Sequence, residues 1–309
     1  MRVVVAGLGI QGRKRLAIAG PDAVATVDPV NRDARYRDVT EVPLDDFDAA
    51  LVCTPDEAKM PILRHLLGHG KHVLVEKPLL CSDLGALEAL ETLAARSGAV
   101  CYTAYNHRFE PHFVRMKDVI DSGVLGRLYL CRMFYGNGTA RDVRESPWRD
   151  RGPGVLPDLG SHLLDTALFW FGALDAPFTV WAANRFENAA FDHLLFGSAG
   201  TPRLELEVTL LSWRNHFTCD VYGERGSAHI ESLCKWGPST FTLRTRVLPS
   251  GRPPEESTTL IQADPTWALE YEHFTALCRK GAPGGLANDI RLSRALNDLA
   301  HAALKEIRP

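Results

Sequence analysis

Gly7, Gly9 and Gly12 form a G-x-G-x-x-G, Gly7-Leu8-Gly9-Ile10-Gln11-Gly12, which follows the β-branched run Arg2–Ala6 and leads into a helical stretch, Arg13–Ala19, closed by Gly20-Pro21. Asp28 stands twenty-one residues after Gly7, at the end of a second apolar run, Ala23–Val27. On its own the glycine pattern also fits an ordinary βαβ corner; between a strand and a helix, with an acid at that distance, it reads as a dinucleotide fingerprint. Gly7 allows the tight turn, Gly9 lets a pyrophosphate approach the backbone, and Gly12 lets helix and strand pack closely. The unpaired N–H groups and positive dipole end of the helix then face the phosphates. Asp28 can accept from both adenosine ribose hydroxyls and repels a 2′-phosphate, which favours NAD. Arg32, four residues on, keeps NADP as the alternative cofactor.

Lys77 is the first candidate for catalysis. It directly follows the apolar run His72–Val75, with Glu76 before it and Pro78 after it. A lysine at the carboxyl end of a parallel strand faces the ligand crevice and can exchange a proton with a substrate hydroxyl. The structural alternative is a solvated loop lysine. Asp158-Leu159-Gly160-Ser161-His162 is the second candidate: on a helix, i and i+4 share a face, so carboxylate and imidazole point the same way. His162 would take a hydroxyl proton as hydride leaves its carbon, with Asp158 orienting the ring or contacting the substrate; otherwise His162 is a core or capping histidine. Asp165, at i+7, reads as structural, and no further acidic or histidine cluster supports a metal site. Four arginines (Arg141, Arg144, Arg149, Arg151) lie with Trp148 in the loop before that helix. Trp148, Arg149 and Arg151 are the substrate candidates, able to hold an anionic group. The interspersed Asp142, Glu145 and Asp150 fit a solvated charged loop equally.

These residues need elements to hold them. Asp48–Cys53 is a strand ending at Thr54-Pro55, followed by a helix from Glu57 to His69. After the strand at His72, Ser82 caps a helix to Arg96, and Ala99–Thr103 counts as a sixth strand, finishing at Asn106. Alternating strands and helices mean a doubly wound parallel sheet with its ligand at the carboxyl ends of the strands. Ile10, Gln11, Cys53, Thr54, Pro55, Glu76, Lys77, Pro78 and Asn106 lie at those ends, and with the glycines and Asp28 they are the predicted cofactor contacts.

Beyond Asn106 the pattern changes. A helix at 111–122 precedes a strand through Phe134, a polar loop at 136–154 and the helix carrying Asp158 and His162 to Phe171. Strands are predicted at 178–185, 193–196, 203–213, 217–222, 227–231, 240–247 and 257–261. Two helices, 267–279 and 290–306, follow. Leu204, Leu206, Val208 and Leu210 alternate with Glu205, Glu207 and Thr209, so this sheet buries one face. The expected fold is α/β: a Rossmann domain at 1–106, then an α+β domain at 107–309 with a large open, mostly antiparallel sheet, whose last helix packs back on the first domain.

The 309-residue length suits two domains, and 45% hydrophobic residues suffice for their cores. A net charge of −3 gives no reason to expect nucleic acid or membrane partners. No stretch has the length and apolarity of a spanning helix or signal peptide, so a soluble, cytoplasmic protein is expected. Seven cysteines, widely spaced and never in C-x-x-C, read as small hydrophobes.

Taken together, the residues resemble the Gfo/Idh/MocA oxidoreductases, which include glucose–fructose oxidoreductase and inositol 2-dehydrogenase. The resemblance rests on the glycine motif, on Gly70–Pro78, on Tyr105-Asn106-His107-Arg108-Phe109, on Gly123-Val124-Leu125-Gly126 and on Asp158–Asp165. It implies Lys77, Asp158 and His162 as the catalytic set, Glu76, Lys77 and Pro78 beside the nicotinamide ribose, and a sugar, cyclitol or sugar derivative as substrate. It also implies dimers or tetramers formed through the open sheet. Lys59 stands where many members have histidine, Pro153 interrupts a glycine cluster, and the chain is compact for the family. Two other functions fit the same residues: an NAD-dependent glycoside hydrolase, and a non-catalytic dinucleotide sensor.

Overall fold

The computed structural model describes residues 1–146, 149–172, 176–281 and 285–306. It divides into two compact units: Met1–Asn106 with Pro265–Ser293, and His107–Asp264 with the chain from Arg294 onward.

The first unit is built on a five-stranded parallel sheet, in the order β2-β1-β3-β4-β5. Its elements are β1 (Val3–Ala6), α1 (Ile10–Ala19), β2 (Ala23–Val27), β3 (Ala49–Val52), α2 (Asp56–Gly68), β4 (His72–Glu76), α3 (Leu84–Ser97) and β5 (Cys101–Ala104). The continuous apolar strands are explained by burial on both faces. Val4, Ala6, Ala50, Val52, Val73 and Val75 join one core with Leu63, Leu66, Leu87 and Leu90 of α2 and α3. Val3, Val5, Ala49, Leu51 and Leu74 point the other way, into a core shared with Leu16 and Ala19 of α1.

The sheet has five strands, not six. Residues 28–48 supply only two 3-10 turns, at Val39–Glu41 and Leu44–Asp46, and a single bridge from Val27 to Tyr36. This crossover brings no α-helix, and its Val39, Val42 and Phe47 join the core with α2 and α3; the opposite face, covered so far by α1 alone, needs further cover. Tyr271 and Phe274 provide it, from a helix that returns near the end of the chain. Residues 265–293 thus lie in the first unit, where the sequence reading sent back only the last helix.

The second unit contains α4 (Pro111–Asp121), β6 (Leu128–Gly136), α5 (Ala140–Arg144), α6 (Ser161–Phe171), β7 (Phe178–Asn184), β8 (His193–Ser198), β9 (Arg203–Thr209), β10 (His216–Gly223), β11 (Gly226–Glu231), β12 (Ser239–Thr245) and β13 (Glu255–Leu260). Two more helices follow, α7 (Thr266–Lys280) in the first unit and α8 (Ala287–Glu306) across the division. The eight strands run in the order β13-β12-β11-β10-β6-β9-β8-β7, antiparallel except for the β6–β9 pair. Phe113 of α4 packs against Trp170 of α6 and Phe217 of β10, and the Trp170 indole donates to the Phe113 carbonyl. Leu204, Leu206 and Val208 turn inward, as their alternation requires.

Three local expectations are corrected. The strand expected to reach Trp213 ends at Thr209, and Trp213 takes a left-handed backbone, φ 60°. The loop at 136–154 holds the short α5. Asp158 does not lie on a regular α-helix: Leu156–Gly160 form a π-helical turn, and α6 starts at Ser161. A π-turn bonds i to i+5, so the i, i+4 face inferred for Asp158 and His162 is opened at that turn.

Candidate active site

In the first unit, the glycines split into two kinds. Gly7 has φ +91°, and a Cβ there would lie 2.6 Å from the Cys53 carbonyl oxygen; one on Gly12 would lie 1.7 Å from the Gly7 carbonyl oxygen. Both are demanded by packing. A Cβ on Gly9 would meet nothing within 4 Å, so this glycine keeps open the space before α1. No side chain caps that helix and no acidic residue sits in its first turn. Ile10 at the helix start is exposed. Thr54 Oγ1, after β3, is buried without a hydrogen-bond partner among the described residues. A helix start with no side-chain cap and no acid in its first turn, beside a glycine with open space over it, is what a dinucleotide's phosphates need, and the residues present fit that group.

Asp28, at the end of β2, accepts from the backbone N–H of Leu8 (2.7 Å) at one oxygen, and of Val30 (2.9 Å) and Asn31 (2.8 Å) at the other. Burial opposes its charge, and the three amides with Arg37 overcome that, so its pKa lies below the usual carboxylate value. Arg37 spans the Asp28 and Asn31 carbonyls, fixing the turn.

At the end of β4, Glu76 accepts from Arg15 Nε at 2.7 Å. Pro78 offers its carbonyl to Lys59 Nζ at 2.9 Å, and Lys59, 3% exposed, also reaches Asp56 Oδ1 at 2.6 Å. Lys77 lies between these two anchored neighbours. Asn106, after β5, donates from Nδ2 to Thr266 Oγ1 at 2.8 Å.

The second unit gathers the other candidates. His162, 7% exposed on α6, stacks on His107 with ring centroids 4.0 Å apart and planes 21° apart. Tyr135, facing inward from β6, lies 6.0 Å from the His162 ring and 5.6 Å from that of His107. Lys235 Nζ is 3.3 Å from His107 Nε2 and 4.8 Å from the Trp236 ring. Burial raises the Tyr135 pKa first, and nearby Asp158 raises it further, keeping the phenol protonated. Arg149 Nη2 lies 3.3 Å from Asp158 Oδ2, with both side chains partly exposed.

The four arginines are thereby separated. Arg141 pairs with Glu145 and Arg144 with Glu187, as a solvated loop would have it. Arg151 is exposed, Trp148 lies outside the described residues, and Arg149 reaches Asp158. Asp165 is structural: buried, it holds Arg108 through both carboxylate oxygens, and burial raises its pKa against the lowering effect of Arg108. His112 and His193 also have structural partners, the Ser239 carbonyl and the Asn184 and Glu207 side chains. His107, Tyr135 and Lys235 were not chosen from sequence. Tyr135 lies one residue beyond the strand end predicted at Phe134, and β6 carries it inward; Lys235 comes near His107 from 128 positions away.

The fold and these residues define a dinucleotide-binding oxidoreductase. Residues 1–105 match the oxidoreductase family with an NAD-binding Rossmann fold, and residues 113–229 match the Gfo/Idh/MocA C-terminal domain. Inositol 2-dehydrogenase of Rhizobium meliloti (strain 1021) is 26% identical over 280 residues, covering 85% of this chain and 80% of that protein. Among solved structures, levoglucosan dehydrogenase in complex with NADH superposes with a TM-score of 0.84 at 18% identity, over 99% of this chain and 97% of that one. An inositol dehydrogenase homolog from Azotobacter vinelandii, complexed with NADH and myo-inositol, gives 0.80 at 17% identity, over 99% and 96%. The chain belongs to the Gfo/Idh/MocA family of NAD-binding oxidoreductases.

Proposed function

We propose that the protein oxidises, or in reverse forms, a secondary alcohol of a sugar, cyclitol or sugar derivative, with NAD in preference to NADP. Bound NAD supplies the acceptor for the hydride. Lys77 exchanges the hydroxyl proton, His162 shares that acid–base work, and Asp158 orients the substrate or the imidazole. The observation that carries this reading is the Glu76-Lys77-Pro78 turn. It closes β4, with the Glu76 side chain held by Arg15 and the Pro78 carbonyl by Lys59, so that Lys77 is presented between two anchored neighbours. Relatives named for inositol and levoglucosan support a polyhydroxylated ring as substrate. Arg149 pairs with Asp158 while both side chains stay partly exposed, which lets it turn to an anionic substituent. Asp28 supports NAD, since its carboxylate stays charged where a 2′-phosphate would approach.

Copies of the chain pair through the open face of the second unit's sheet, where Arg132, Glu205, Asp220, Tyr222 and Arg244 are exposed or half-buried.

A panel of sugars, cyclitols and sugar acids, followed by NADH absorbance with NADP in parallel, tests the reading. A Lys77→Ala variant is expected to lose about a hundredfold or more in kcat and still to bind NADH. Full turnover by Lys77→Ala would sink the acid–base assignment. Free sugar released without net NADH would move the function to glycoside cleavage.

A further inference from the structure

Arg15 is the most buried cation among the described residues, 1% exposed, and the mechanism above does not use it. It projects from the second turn of α1, the helix that starts at the glycine loop. Its Nε donates to Glu76 Oε1 at 2.7 Å, and its Nη2 donates to Glu270 Oε2, also at 2.7 Å. The Trp267 ring lies 4.2 Å from its guanidinium carbon. Glu270 is 0% exposed, and both Trp267 and Glu270 belong to α7. Burial works against the charge of Arg15, and the two carboxylates more than restore it, so its pKa rises.

A stability role alone would be met by a hydrophobic residue of similar volume, since buried ion pairs are often no better than apolar packing. What an apolar residue cannot do is hold a carboxylate by one oxygen. The guanidinium is planar and its donors diverge in a fixed fork, so one edge occupied by Glu270 fixes where the other edge points. Glu76 is then held at Oε1, which leaves Oε2 for another donor. We propose that Arg15 is a positioning residue for the cofactor: anchored by Glu270 and Trp267 of α7, it sets the Glu76 carboxylate in the orientation that receives the nicotinamide ribose. This rests on the reading of Glu76 as a cofactor contact. It adds that the affinity for NADH is set partly from α7.

The test is a double-mutant cycle on NADH affinity, read by the fluorescence of NADH titrated into the full-length protein, with melting of each variant without NADH to establish that it folds. Hydrogen bonds to a charged group are worth roughly 1.5–3 kcal/mol, so Glu76→Ala should weaken NADH binding about tenfold or more. Arg15→Met should weaken it similarly, and the double variant should be no weaker than Glu76→Ala. A double variant whose loss is the product of the two single losses would show that Arg15 acts independently of Glu76, and would overturn the proposal. Arg15→Lys serves if Arg15→Met does not fold: it keeps the charge but lacks the fork, and its loss must likewise vanish in the Glu76→Ala background. If Glu76→Ala binds NADH as the wild type does, the reading of Glu76 as a cofactor contact fails. If Glu76→Ala weakens binding and neither Arg15 variant does, the positioning role alone fails.

Discussion

At the residue scale, Asp28 connects cofactor choice with acid stability. Its folded pKa is depressed by three backbone amides and Arg37. A group of that kind contributes stability that is complete above the unfolded carboxylate value, about 3.9, and is lost as pH falls through the lower folded value. Asp28→Asn should therefore melt below the wild type at pH 7, with the difference shrinking as pH is lowered past about 4; thermal melts across that range measure it. An unchanging difference would mean that the amides hold the side chain without favouring its charge. The same substitution should narrow the preference for NADH over NADPH. Lys59 offers a second test: Lys59→Met leaves the buried Pro78 carbonyl without its donor, which costs roughly 1–3 kcal/mol in urea unfolding. Neither cation that flanks Lys77 was legible in the sequence. Lys59 stood out only as a departure from a family histidine, and Arg15 has one of its partners 255 positions away.

At the scale of elements, the glycine loop separates packing from binding. Gly12→Ala forces a methyl into the Gly7 carbonyl and should lower the melting temperature of the protein without NADH, or prevent folding. Gly9→Ala meets open space, so it should melt as the wild type does but bind NADH more weakly. Equal melting losses in the two would erase that distinction. This loop was legible because its spacing, its strand and its helix all lie within thirty residues of one another. The sheet strands were legible for a similar reason, since doubly buried Val3-Val4-Val5 and alternating Leu204, Leu206 and Val208 carry their periodicity locally. The π-turn at Leu156–Gly160 was not, because the apolar spacing around it still reads as α-helix. The sequence delimits only five apolar runs before Asn106, so the sixth strand was a miscount and not a lost element; in the crossover at 28–48, Val39, Val42 and Phe47 are buried in the first core.

On the scale of the whole molecule, the open sheet face carries charges that are already matched within the chain, Arg132 with Glu205 and Arg244 with Glu255, while Asp220 hydrogen-bonds His229. If copies associate there, Arg132→Glu places like charges opposite one another and should lower the solution mass measured by light scattering. An unchanged mass would place the contact elsewhere. The residues that return to the first unit have a consequence during synthesis. When the first hundred or so residues have left the ribosome, one face of their sheet still lacks Tyr271 and Phe274, and Arg15 has no Glu270 to meet. The amino-terminal unit can therefore close only after translation has passed the whole of the intervening region. A nascent chain arrested before α7 should be digested readily by protease, whereas one arrested well beyond α7 should resist.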